Sequence, residues 1–242
     1  LHPYVTDDGL KMYFVSPRDG GLTDVGIWEA TRPTTTSAWD SASQRLVPGV
    51  NTPFELEWNT DPQVTSGGLL MYFARSAADT GYYDIFRATR STRTEDFENV
   101  EPATEFNTAY EESSPFLSTD GLMFFFHSSR PGGKGSSDFY VATRNSTSEP
   151  FGPPVNLQEI NSPANERWIH FHEPTGTLYF TSNRNGDLDV YAAQLLPPAG
   201  EYDLVWSTFH GGESDESGAS VAADLAGNIY VVGETKSAAF PT

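Results

Sequence analysis

The chain has 242 residues, enough for one domain of ordinary size or two small ones. Its 14 Lys and Arg stand against 33 Asp and Glu, a net charge of −19; this argues against nucleic acid, whose phosphates are gripped by Lys and Arg, and suits cationic partners, divalent cations or a solvated acidic surface. The absence of cysteine excludes thiolate chemistry and disulfides, and no run of 18 apolar residues is present to insert in a membrane as a helix.

The first strand is read at His2-Pro3-Tyr4-Val5. Asp8-Gly9 follows as a hairpin signal, because Gly accepts the positive φ that such turns need. DGLKMYFVSPRDGG (Asp8 to Gly21) and VGIWEATR (Val25 to Arg32) supply two more strands, and Ser41 to Pro48 a fourth. Asn51-Thr52-Pro53 leads onward. The order then repeats in GGLLMYFARSAADTGYYDIFRATR (Gly67 to Arg90), though Ala77-Ala78 stand where an Arg is expected.

The third copy is the clearest. Within EESSPFLSTDGLMFFFHSSRPGGKGSSDFYVATR (Glu111 to Arg144), Pro115 to Ser118 is extended, Asp120-Gly121 turns, and Leu122 to Phe126 is almost wholly apolar. Such a run suits a strand buried on both faces. Pro131 to Gly135 turns again, and Phe139 to Thr143 is aromatic and β-branched. A fourth copy covers TGTLYFTSNRNGDLDVYAA (Thr175 to Ala193), with Thr175-Gly176 in place of Asp-Gly. Before it, Glu166 to Glu173 reads as an inner strand whose alternation puts Trp168, His170 and His172 on one face.

The ATR endings at Arg32, Arg90 and Arg144 recur at intervals of roughly 55 residues, and Asp84, Asp138 and Asp189 each open a third strand. Several strands per repeat at such a period predict an all-β propeller of four-stranded antiparallel blades. The aromatics, 13% of the chain, are then first of all packing between blades.

The pattern P-x-x-S/T-x-D-G, L-x-F-x-S-x-R, G-G, D-I-Y-x-A-T-R resembles the WD-like propeller repeat of TolB-type proteins. After Leu196-Pro197-Pro198-Ala199-Gly200 the character changes. V-W-S-T-F-x-G-G, S-x-V-A-x-D-x-x-G-N-I-Y-V-V-G-E-T and F-P-T resemble the SBBP type of β-propeller repeat. Tyr202 to Thr208 is expected as the outer strand of blade four. Ala219 to Asp224 and Asn228 to Gly233 are expected as the inner strands of an incomplete fifth. The expectation is one propeller domain with blades at about 1–54, 55–108, 109–164, 165–210 and a partial 211–242, and the missing outer strands suggest a piece of a longer protein.

Four groups of residues carry candidate chemistry. Glu166, His170 and His172, with His2 or Glu173 as further donors, suit Zn²⁺; the competing reading is histidines hydrogen-bonded locally in a wet channel. Asn51, Glu57, Asn59, Asn107, Glu112, Asn161 and Glu166 recur at blade starts. They are either hard oxygen ligands for Ca²⁺ or caps for backbone groups. Asn183, Asn185, Asp187 and Asp189 resemble the start of a calcium loop but sit where other blades turn. Trp58 and Trp168, beside Arg167, either stack on a ligand or pack between blades. No G-x-S-x-G elbow or phosphate-cradling loop is present; Gly132-Gly133 and Gly211-Gly212 read as turns.

The resemblance to TolB-type repeats implies a non-catalytic scaffold that binds a protein, peptide or glycan at one channel mouth; the blade entries, with Trp58, Glu112, Glu166, Arg167, Trp168, His170 and His172, are the expected binding surface. It also implies a bacterial protein that is secreted, periplasmic or on the cell surface. No cofactor is required on that reading. The alternatives are a Ca²⁺- or Zn²⁺-dependent propeller hydrolase and a structural segment of a larger surface protein.

Overall fold

A computed structural model describes residues 3–17, 25–51, 57–76, 81–186 and 188–194 with side chains, and the backbone of 195–196, 201–206, 216–223 and 229–235. The first sheet is β1 (Tyr4–Val5), β2 (Lys11–Ser16), β3 (Gly26–Thr31) and β4 (Arg45–Leu46), in that spatial order. The second is β5 (Asn59–Val64), β6 (Leu70–Ser76), β7 (Tyr83–Thr89) and β8 (Glu98–Pro102). The third holds β9 (Glu112–Leu117), β10 (Met123–Ser128), β11 (Asp138–Thr143) and β12 (Val155–Asn156). The fourth holds β13 (Glu166–His172), β14 (Thr177–Ser182), β15 (Asp189–Leu196) and β16 (Glu201–Trp206). Consecutive strands pair antiparallel, and the only helical residues described are two short 3-10 turns. These four-stranded meanders are the blades of an all-β propeller. A two-stranded sheet follows, β17 (Glu216–Ala223) and β18 (Ile229–Thr235). Its strands overlap the two stretches, Ala219 to Asp224 and Asn228 to Gly233, expected after blade four.

The chain packs as two compact units, His2–Pro115 and Phe116–Thr242. In the first, Tyr13, Ile27, Met71, Phe73 and Phe97 form the core. In the second, Phe125, Phe139, Phe171, Phe180 and Tyr191 do so. The triplet Phe124, Phe125 and Phe126 is fully buried, as a strand covered on both faces requires. Phe125 faces the core, while Phe124 lies 5.9 Å from the ring of Phe151 on the other side. Each such ring contributes roughly 1.5–3 kcal/mol.

The recurring Asn closes the third strand of blades one to three. Asn51 accepts from the Ile27 amide and donates to its carbonyl, at 2.8 and 2.9 Å. Asn107 holds Ile85 in the same way, and Asn161 holds Phe139. A primary amide carries one donor edge and one acceptor edge, so it imitates one more residue of ladder and satisfies backbone groups that would otherwise stay unpaired. The ATR arginines are a second device. Arg32, Arg90 and Arg144 donate Nε to the carbonyls of Gly9, Gly68 and Gly121. Each stacks on one ring of its own blade: Trp39, Phe97 and Phe151.

A third arginine position corrects the sequence reading of blade two. In blade four Arg184 lies over Phe180 and Tyr191 and donates to the Ile160 carbonyl. In blade two Arg75 lies over Phe73 and Phe86 and donates to the Val50 carbonyl. Val50 and Ile160 each precede the clamping Asn. Arg75 thus fills the role expected at Ala77-Ala78, from a place two residues after its Phe instead of four.

Candidate functional site

The starts of the first strands are the irregular part of blades two, three and four. Asp61, Ser114 and Trp168 occupy equivalent positions, two residues into β5, β9 and β13, and all have left-handed backbone, φ 51, 52 and 54°. Non-glycine residues rarely hold this conformation. The ladder slips at the same place, between Thr60 and Gln63 and between Arg167 and His170. These are β-bulges, which bend a strand and re-aim its side chains. Pro62 and Pro115 follow directly in two of the three, and a proline cannot donate to a ladder. The simple alternation expected for Trp168, His170 and His172 is therefore broken. His170 and His172 still alternate with Ile169 and Phe171, but Trp168 is set apart by the bulge.

The bulge of blade two carries a buried carboxylate. Asp61 Oδ2 accepts from Ser113 Oγ at 2.5 Å, and from the Ser114 amide and hydroxyl at 3.1 and 3.3 Å. The nearby Tyr83 hydroxyl is pushed up to about 12, by burial and by the charges of Asp61 and Glu111. Glu112 and Glu166 lie at the bottom of their turns, with no exposed surface. Glu112 accepts from the amide and hydroxyl of Thr108, both at 2.7 Å. Glu166 accepts from Ser162 Oγ, Ser182 Oγ and Arg184 Nη2 at 2.6, 2.8 and 3.2 Å. Beside them sit the aspartates that open the third strands. Asp84 and Asp138 are raised above the ordinary carboxyl range by burial, and further by Glu112 and Glu166 respectively.

The remaining sequence-derived residues fall as follows. Arg167 has its Nε buried without a hydrogen bond, and its carbonyl accepts from Thr181 Oγ1. His170 meets the edge of Phe116, ring centroids 4.9 Å apart. His172 is buried, with Nδ1 2.7 Å from Thr175 Oγ1. Glu173 accepts from the Thr119 amide. Asn59 accepts from Arg75 Nε, and Glu57 lies 3.7 Å from it. Asn183 accepts from the Asn165 amide within a turn closed by Gly186, and Asp189 is buried. Thr52, Pro53, Asp187 and His2 lie outside the described residues. Among the described residues, no group of three His, Asp or Glu side chains converges as a metal ion would require.

The sequence reading named Trp58 but passed over Tyr82 and Tyr110, which flank the same end of blade two. Trp58 is 42% exposed, Tyr82 52% and Tyr110 44%. Trp58 directly precedes β5, and its backbone pairs with Ser76 at the end of β6: amide to Oγ at 2.8 Å, carbonyl from the Ser76 amide at 2.9 Å. Ser76 in turn faces Tyr83, the first residue of β7 and the neighbour of Tyr82. Tyr110 sits in the Thr108–Glu112 turn that the Asn107 clamp ties to β7. Only Trp58 carried a sequence signal; the tyrosines look like any strand-flanking aromatic.

Residues 205–241 match the family model described as a beta-propeller repeat, SBBP. No curated protein matches the chain. Among solved structures, TolB from Acinetobacter baumannii is 18% identical with a TM-score of 0.57, over 96% of this chain and 51% of that one. An endo-arabinase from Bacteroides thetaiotaomicron is 12% identical, TM-score 0.58, over 99% and 90%. A chain of a nidogen/laminin complex is 10% identical, TM-score 0.58, over 93% and 70%. At these identities the likeness is one of fold, and the chain spans about half the length of the Acinetobacter TolB.

Proposed function

We propose that the chain is a non-catalytic scaffold that binds a protein, peptide or glycan through the strand ends of its blades, with Trp58, Tyr82 and Tyr110 as the main contact surface. The observation that carries this reading is the exposure of three large aromatics at one end of blade two. Large rings with a polar edge lose little entropy on binding and are enriched at recognition surfaces. Strand ends tied to one another through Ser76 and Asn107 hold them in place before a partner arrives. In the second unit, Arg167, Trp168 and His170 at the start of β13 form a further contact stretch, the bulge at Trp168 turning it out of the ladder. Glu112, Glu166 and His172 support their turns from inside. The fold suits either kind of ligand: its neighbours include a chain of a nidogen/laminin complex and an endo-arabinase.

The reading extends to place. A bacterial protein secreted, periplasmic or on the cell surface fits the TolB-like blades and the SBBP-type segment. Glycan arrays and pull-downs with the whole chain test the function. Binding that is lost in Trp58→Ala, with unchanged melting, supports the scaffold. A stoichiometric Ca²⁺ or Zn²⁺ that is lost with Glu166→Gln or His170→Ala, together with hydrolytic activity, would replace it with a metal-dependent hydrolase.

A further inference from the structure

A cavity of about 520 Å³ opens within the first unit, between the β1–β2 and β5–β6 hairpin turns. Its lining includes Lys11, Arg32, Arg90 and Arg93. Such a concentration of cations stands out in a chain of net charge −19. Lys11 is already matched by Glu29 at 3.0 Å. The three arginines make no direct ion pair among the described residues, although Asp7 and Asp8, which also line the cavity, lie within reach of the Arg93 charge. Arg32 donates Nε to Gly9, Arg90 donates Nε to Gly68 and Nη1 to Glu95, and Arg93 donates to Gly67 and Ser66, all to backbone carbonyls. A guanidinium has five N–H donors in a planar fork, so each keeps donors for a ligand.

Two departures from the repeat converge on this cavity. Three residues after the ATR arginine, blades one and three place Thr35 and Thr147, whose methyl groups pack on the glycine of the opposing turn. Blade two has Arg93 there, packed on Gly68. A threonine does that packing in the neighbouring blades; the guanidinium adds two hydrogen bonds to the turn and extends a charge into the cavity. In the same way Lys11 stands where blades two and three have Leu70 and Met123. A further observation points to a ligand: Tyr13, fully buried and lining the cavity, has a hydroxyl that lies near the Arg90 guanidinium but makes no hydrogen bond of good geometry. An unsatisfied buried hydroxyl costs stability unless something occupies it. Asp7 and Asp8 stand at the exposed rim, where Asp8 accepts from Thr6 Oγ1 and the Leu10 amide as part of the turn.

We propose that this cavity binds a small molecule through an oxyanion, a carboxylate or a phosphate, gripped by Arg32, Arg90 and Arg93 with the Tyr13 hydroxyl as a neutral donor. Planar guanidinium forks match both oxyanions. The site is independent of the aromatic surface at the strand ends. Titration calorimetry on the whole chain at low salt, with inorganic phosphate, glucuronate and glucose, tests it. Binding of phosphate or glucuronate without glucose is expected, and whichever binds names the source of the oxyanion. Arg93→Thr is expected to weaken that binding about tenfold or more while the chain stays folded with only a small drop in melting temperature, because threonine keeps the packing of the neighbouring blades and only two exposed hydrogen bonds are lost. Failure of both anions to bind, or equal binding by Arg93→Thr, would overturn the proposal.

Discussion

The carboxylate of Asp61 accepts the hydroxyl of Ser113 at 2.5 Å, tying the bulge of β5 to the first residues of β9. Asp61 is also one of the few non-glycine residues with positive φ among those described. The two facts belong together. Asp tolerates the left-handed conformation better than most residues, and here its carboxylate also satisfies the Ser114 amide. Asp61→Ala is expected to cost about 2–3 kcal/mol, and Asp61→Asn about 1 kcal/mol, since Asn keeps an acceptor and the backbone preference. Urea denaturation of the two variants checks the ranking.

Asn161 holds both backbone groups of Phe139 at 2.9 Å from a position that is almost fully buried. Removing the amide in Asn161→Ala strands a buried donor and a buried acceptor, for an expected loss of about 2–4 kcal/mol. Asn161→Asp is expected to be similarly harmful, because a carboxylate accepts from the Phe139 amide but repels its carbonyl. A variant as stable as the parent would show that the clamp is dispensable.

How much of this could be read beforehand varies with the physics. The strands of the third repeat were legible because Phe124 to Phe126 and the Asp120-Gly121 turn are local signals. The Asn clamp was legible as a recurring residue but open in meaning, since an Asn that caps a blade and an Asn that binds Ca²⁺ look alike in one dimension. The structure commits all three to backbone. Arg75 was missed because a long side chain reaches the same ring pair from more than one position, so sequence register does not fix its role. The bulges were missed because alternation carries no sign of an inserted residue. The prolines at Pro62 and Pro115 were the one available hint.

The Asp138 and Asp84 carboxylates give the protein a defined pH response. Burial, and then the charge of Glu166, raise Asp138 above its ordinary value of 3.8. Asp84 is raised likewise, with Glu112 as the second cause. Between 3.8 and the raised values the folded chain holds more protons than the unfolded one. The contribution of these two groups is therefore fully present below 3.8 and is lost as pH rises through the folded values. Asp138→Asn, whose side-chain oxygen can still accept from the Gly135 amide, is expected to flatten that part of the stability–pH curve. Thermal melts across the acid range, parent against variant, measure it; parallel curves would contradict the coupling.

The most direct measurement of the central claim is binding by the aromatic end of blade two. A triple variant, Trp58→Ala, Tyr82→Ala and Tyr110→Ala, changes only exposed side chains and is expected to melt within about 1 kcal/mol of the parent. Partners or glycans captured by the parent in pull-downs and arrays should be lost from the variant. Retention of every partner by a folded triple variant would contradict the account.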